Sequence, residues 1–261
     1  MKLVDSHCHL DFPDFAAERE AVIARARAAG VGTLVTICTK ITEFDTVRAI
    51  AESDPDIWCT VGIHPHEAAA EPAVDEARLA ALAGHPKVIG IGECGLDYHY
   101  ELSPRDRQLV VFRTHARAAH EAGLPLVVHT READEDTAAL LAEESRGGRL
   151  TGVLHCFTSG HKLALQALDL GFYISFSGIV TFKNAEDLRE TARAVPLERM
   201  LVETDAPYLA PVPKRGKRNE PAFVAHTAAF IAGLKGISAD ALAEATTANF
   251  HRLFPKARAA S

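Results

Sequence analysis

The chain has 261 residues and a mass of 28.1 kDa, with 48% hydrophobic residues, 24% charged residues and a formal net charge of −7. That length makes one large domain or two small ones, and the composition excludes collagen-like, coiled-coil, low-complexity and disordered classes. The excess of acid excludes the broad basic face of a protein that coats duplex nucleic acid, while a local phosphate site stays open.

The opening MKLVDSHCHL carries Asp5 and His7 where a secretory signal needs an unbroken apolar core. No later stretch approaches the length of a membrane span, so the expected location is cytoplasmic. The five cysteines form no CxxC pair, which fits a reducing compartment and no disulfide framework. Short apolar runs at 2–6, 32–38, 57–63, 88–93, 125–129, 152–156, 172–177 and 200–203 read as strands buried on both faces. Amphipathic patterns between and after them predict helices over 16–29, 42–53, 74–82, 104–122, 133–144, 162–170, 185–194, 222–234 and 239–253. Pro104 behind Ser103 reads as a first helical residue, and Gly30, Gly123 and Gly171 as helix stops. Eight strands alternating with helices predict an α/β fold, a (β/α)8 TIM barrel in one domain spanning residues 1–261. No GxGxxG follows the first strand, which lowers the Rossmann alternative.

Thirteen histidines are many for this size, so their positions come first. His7 and His9 flank Cys8 at the end of the first run, and alternation along an extended chain sends both imidazoles to one side. Glu93 ends the fourth run, His129 the fifth and His155 the sixth, while Asp205 follows the eighth. In a barrel those strand ends form one rim, where active sites of this architecture assemble. Four imidazoles and two carboxylates exceed the needs of one tetrahedral ion and suit two divalent ions, with Glu93 as the bridge. Alternation aims Cys8, Cys94 and Cys156 the other way, toward the helices. His85, His115, His120, His226 and His251 fall on or beside helices and read as solvated or capping residues; His66, His99 and His161 fall in loops with no role assigned.

Asp5-Ser6-His7-Cys8-His9-Leu10, Gly62-Ile63-His64-Pro65-His66, Gly92-Glu93-Cys94-Gly95-Leu96-Asp97-Tyr98, His129-Thr130-Arg131, His155-Cys156-Phe157 and Glu203-Thr204-Asp205-Ala206-Pro207 occur in that order. The ordered set resembles the TatD family of metal-dependent hydrolases and deoxyribonucleases. The resemblance implies a TIM barrel of the amidohydrolase superfamily, a divalent metal site and hydrolysis of DNA phosphodiesters, often 3′ to 5′ on single strands. It also implies that His7, His9, Glu93 and Asp205 hold one metal and Glu93, His129 and His155 the other. Amidase-type relatives place a carboxylated lysine at the bridging position; here Glu93 stands there, which counts against a cyclic-amide hydrolase.

Two ions would activate a shared water and neutralise charge on the phosphoryl group. Asp205 is the expected proton acceptor; Glu203, on the same face, is either a second acceptor or a partner that orients a ligand histidine. His64 and Arg131 are expected phosphate contacts, and Tyr98 and Phe157 expected base-stacking residues, with plain packing as the alternative for both aromatics. The basic run Lys214-Arg215-Gly216-Lys217-Arg218 is a candidate backbone contact. The expected partner is a DNA strand end. A metal-dependent esterase acting on D-aminoacyl-tRNA or a small phosphoester is the alternative, and a non-catalytic metal-bearing nucleic-acid-binding protein the third reading. Imidazole-rich shells suit zinc, manganese or iron, whereas the family resemblance implies magnesium.

Overall fold

The computed structural model describes residues 2–258 except 146, 147 and 149. All eight apolar runs form strands: β1 (Leu3–Cys8), β2 (Val31–Thr36), β3 (Ile57–Val61), β4 (Val88–Asp97), β5 (Leu126–Arg131), β6 (Gly152–Leu154), β7 (Tyr173–Phe176) and β8 (Met200–Val202). They pair in parallel in sequence order, and a bridge between Cys8 and Ala206 joins the last strand region to the first, making a TIM barrel. The helices are α1 (Pro13–Ala16), α2 (Arg19–Ala28), α3 (Phe44–Glu52), α4 (Glu76–Ala83), α5 (Arg105–Ala122), α6 (Asp134–Glu144), α7 (His161–Asp169), α8 (Glu186–Ala194), α9 (Val224–Lys235) and α10 (Ala239–Leu253).

Local chemistry sets most boundaries within a residue or two of expectation. Gly123 ends α5 in the left-handed conformation, φ 63°, where a β-carbon is disfavoured. Pro104 is the cap residue of α5 rather than its first helical residue, and the Ser103 hydroxyl is used elsewhere: it donates to the His66 carbonyl (2.7 Å) and accepts from the Ala69 amide (3.0 Å). β4 is the main departure. It runs four residues past Glu93, with a register break between Ile91 and Cys94 against β5.

Two apolar clusters hold the barrel. The larger packs strand residues such as Leu34, Ile91 and Leu154 against the helices and contains Cys8 and Cys94. The smaller joins Val4, Ile89, Val127, Val153 and Leu201 to Phe250, Leu253 and Phe254 at the end of α10. Each of those strand residues precedes the predicted ligand on its own strand, so α10 stoppers the end of the barrel remote from the histidines. Burial of each phenylalanine contributes about 2–3 kcal/mol. Among the described residues no single helix is long and apolar enough to cross a membrane.

His115 is a correction: instead of a solvated helix residue it is fully buried. Its Nδ1 donates to the Val111 carbonyl (2.7 Å) and its Nε2 accepts from the Ile63 amide (3.0 Å), so α5 fixes the backbone one residue before His64. Burial pushes its pKa down from 6.5 to about 4. A folded-state pKa below the unfolded one means that the unfolded chain binds the extra proton, so this stability is full above pH 6.5 and is lost as pH falls toward 4. Urea titrations from pH 7 to 4.5 should therefore show His115→Gln, which keeps a donor and an acceptor, losing roughly 2–3 kcal/mol less than the parent; parallel losses would contradict this.

Candidate metal centre

Glu93 sits at the middle of the barrel mouth, 2% exposed, presenting one oxygen to each side. Its Oε2 lies 3.3 Å from His7 Nε2, and its Oε1 lies 2.7 Å from His155 Nε2, 3.2 Å from His129 Nδ1 and 3.3 Å from His64 Nε2. Close backbone approach makes this possible. Gly95 has φ 135°, and a β-carbon there would stand 2.0 Å from the His129 carbonyl oxygen, so only glycine lets β4 run this tightly beside β5.

On the other side, His9 Nε2 lies 3.3 Å and His7 Nε2 3.7 Å from Asp205 Oδ1. Asp205 adopts φ 57°, an unusual conformation for a non-glycine, held because its amide donates to the His7 carbonyl (2.9 Å) while the His9 amide donates to the Ala206 carbonyl (2.8 Å). Asp5, fully buried below, accepts from the Thr204 amide (2.9 Å) and hydroxyl (2.6 Å). These bonds stitch β1 to the end of β8.

Three donor groups result: His7 with His9 and Asp205, His7 with Glu93 and His155, and His64 with Glu93 and His129. The six residues predicted as ligands are thus brought together, and His64, expected as a phosphate contact, joins them in a donor group with Glu93 and His129. Buried polar atoms normally find partners. Yet His7 Nδ1 and Nε2, His9 Nδ1, His155 Nε2 and Glu93 Oε2 are buried without a hydrogen bond. Imidazole nitrogens and carboxylate oxygens left unpaired and converging are the donor set a divalent cation takes, so the residues fit such an ion.

Burial alone would raise the Glu93 carboxyl pKa, but the imidazoles of His155, His64 and His7 outweigh it and hold the group well below the usual range. The same contest raises His155, where burial is overcome first by the charge of Glu93, and raises His9 through its hydrogen bond to Asp205. His64 keeps the effect of burial and falls to about 4. A cation entering this cluster replaces protons shared between imidazole and carboxylate.

Glu203 is fully buried and fully engaged. Its Oε1 lies 3.2 Å from His155 Nδ1 and accepts from the Cys156 amide, and its Oε2 accepts from the Ser175 hydroxyl. That arrangement orients His155 and leaves no oxygen for a water. Asp97 and His66 were not singled out from the sequence, yet Asp97 Oδ2 lies 3.0 Å from both His129 Nε2 and His66 Nε2. Alternation from Glu93 through Gly95 to Asp97 was the available signal.

Phe157 is corrected outright: at 1% exposure, packed edge-on against Phe176, it offers no face to a base. Tyr98 lines the cleft, but Arg105 covers its ring (4.1 Å) and its hydroxyl donates to Asp136 (2.6 Å). Cys156 lines the cleft too instead of facing the helices, because β6 ends at Leu154 and alternation ends with it. Arg131 ends β5, its guanidinium 4.8 Å over the Tyr100 ring. In the basic run, Arg218 bonds Glu18 (2.7 Å), Arg215 lies 3.7 Å over Phe182 and Lys214 5.1 Å over Phe223, so three of its four cations have partners in the protein.

A TIM barrel whose strand ends converge histidines and carboxylates in this way is the framework of a metal-dependent hydrolase. The TatD related DNase family profile matches residues 4–255. The chain is 46% identical over 257 residues to "Uncharacterized metal-dependent hydrolase YcfH" of Escherichia coli K12, covering 97% of this chain and 96% of that protein. It is 37% identical over 258 residues to "3'-5' ssDNA/RNA exonuclease TatD" of Enterobacter lignolyticus, covering 97% and 98%. The crystal structure of YjjV, a TatD homolog from Escherichia coli K12, superposes with a TM-score of 0.90 at 30% identity, covering 97% and 98%. The chain belongs to the TatD related DNase family and is a metal-dependent hydrolase.

Proposed function

We propose that this hydrolase is a nuclease that removes nucleotides from the 3′ end of single-stranded DNA with two divalent ions. The reading rests above all on the buried imidazole and carboxylate donors that converge, without hydrogen bonds of their own, at the floor of an open cleft of about 1800 Å³. His7, His9 and Asp205 would hold one ion and His129 and His155 the other, with Glu93 contributing to both. Such a pair supplies an activated water and positive charge opposite the phosphoryl oxygens.

The chain's own groups do the rest. Asp205, with its side chain 14% exposed against 3% for Glu93 and 1% for Glu203, is the carboxylate a water reaches, and we assign it the proton. Glu203 keeps His155 oriented, and Asp97 does the same for His129. Arg131 brings a two-pronged donor to a phosphate beside the scissile one, and His64 contacts the scissile phosphate itself.

The test is chelation followed by add-back. Metal-stripped protein should be inactive on end-labelled single-stranded DNA, and magnesium, manganese or zinc should restore release of mononucleotides from the 3′ end. Hydrolysis that survives chelation, or that no ion restores, would overturn the reading.

A further inference from the structure

Two aromatic paths lead out of the metal centre. From the His9 side, Phe12 stacks on the His9 ring (4.5 Å) and meets Tyr208 edge-on at 6.1 Å. From the His129 side, His66 meets Tyr100 edge-on at 5.6 Å, and Arg131 lies over the same tyrosine. Tyr100 and Tyr208 both line the cleft and are both 54% exposed, Tyr100 even with Arg131 over its ring and His99 edge-on at 4.7 Å. Tyr100 follows β4 and Tyr208 follows β8, strands on opposite sides of an eight-stranded ring. Exposed aromatic rings are poor solvent-facing choices, and two of them facing one cleft across a catalytic floor mark contact with flat apolar groups.

The charge around the same mouth has the opposite sign from a nucleic-acid groove. Asp14, Glu43, Glu67, Glu132, Asp134 and Glu135 face the cleft, against Lys40, Arg105 and Arg131. Lys40 is paired with Glu43 (3.4 Å) and Arg105 with Glu101 (2.8 Å), which leaves Arg131 as the cleft cation with no ion pair among the described residues. A strand lying along this rim would set its phosphates against carboxylates, and each further phosphate would be disfavoured a few-fold at moderate salt. A stacked base gains roughly tenfold in affinity and is indifferent to the acid.

Resting on the nuclease reading above, we infer that this site takes only the last two or three nucleotides of a strand. The bases on either side of the scissile bond stack on Tyr100 and Tyr208, and the acidic mouth turns away the rest of the backbone. The preferred substrate is therefore a short oligonucleotide or a frayed terminus, bound through its bases and one or two phosphates.

The metal-loaded protein should be assayed on dT3 and dT30 across a salt series. The two substrates should give kcat/KM values within about threefold per strand end, and log KM against log salt should have a slope no steeper than about 1.4, the value for two phosphates on a single strand. Tyr100→Leu and Tyr208→Leu should each raise KM roughly tenfold with kcat little changed, and Tyr100→Phe should keep the parent KM because the ring is retained. A preference of more than tenfold for dT30, a slope above about 3, or leucine variants with unchanged KM would each overturn the inference while leaving the nuclease reading intact. No turnover of either oligonucleotide would overturn both.

Discussion

Glu93→Gln should lose hydrolysis by about 10³-fold or more, equivalent to about 4 kcal/mol of transition-state stabilisation, with every divalent ion tried. The amide keeps the size of the carboxylate and removes its charge. It also turns an NH2 toward one side of the cluster, where His7 stands at 3.3 Å on one oxygen and His155, His129 and His64 at 2.7–3.3 Å on the other. The amide nitrogen has no free lone pair to offer a cation and the side chain brings no negative charge, so the variant would hold metal poorly. Elemental analysis should find the variant short of metal, and circular dichroism at 25 °C should match the parent, because the strands rest on the two apolar clusters and not on this carboxylate. Parent-like rates in Glu93→Gln would remove Glu93 from the centre of the mechanism.

Gly95→Ala should strike stability first and activity through it. The added methyl meets the His129 carbonyl oxygen at 2.0 Å in a backbone conformation, φ 135°, that alanine rarely adopts. Either β4 and β5 separate or the chain at residue 95 rotates, and both move His129. The expected cost is about 3 kcal/mol or more, which in a chain of this size lowers Tm by roughly 6–12 °C. A scanning-calorimetry shift of under about 2 °C would show that the β4–β5 contact is looser than described.

The barrel was legible because strands buried on both faces write themselves as short, largely apolar runs rich in Val and Ile, as at 57–63 and 88–93. The donor residues were legible for a related reason: each closes or follows such a run, and the fold gathers run ends. What escaped the sequence has physical causes. The fourth run was read as ending at Glu93, so Asp97 lay beyond it; in the structure Gly92 and Gly95 let β4 pass close to β5 and continue to Asp97. His66, expected in a loop, sits in a single 3-10 turn, Pro65–Glu67, whose carbonyl at residue 66 is held by Ser103, 37 residues on, a contact no local pattern announces. Phe157 and His115 failed for one reason: residue type does not tell whether an aromatic ring meets solvent or core.

The closing of the barrel has a consequence for how the enzyme comes into being. His7 and His9 belong to the first strand and its end, while Asp205 follows the last, and the seam between them carries a single bridge, Cys8 to Ala206, with a few hydrogen bonds around it, where other strand pairs have ladders. An ion held by His7, His9 and Asp205 would act as a clasp across that seam. A ribosome must deliver about four-fifths of the chain before the clasp has both halves, so a half-made or clipped chain lacks this one of the three donor groups. Loading of that ion would thereby report assembly: a molecule that holds it has already closed its ring.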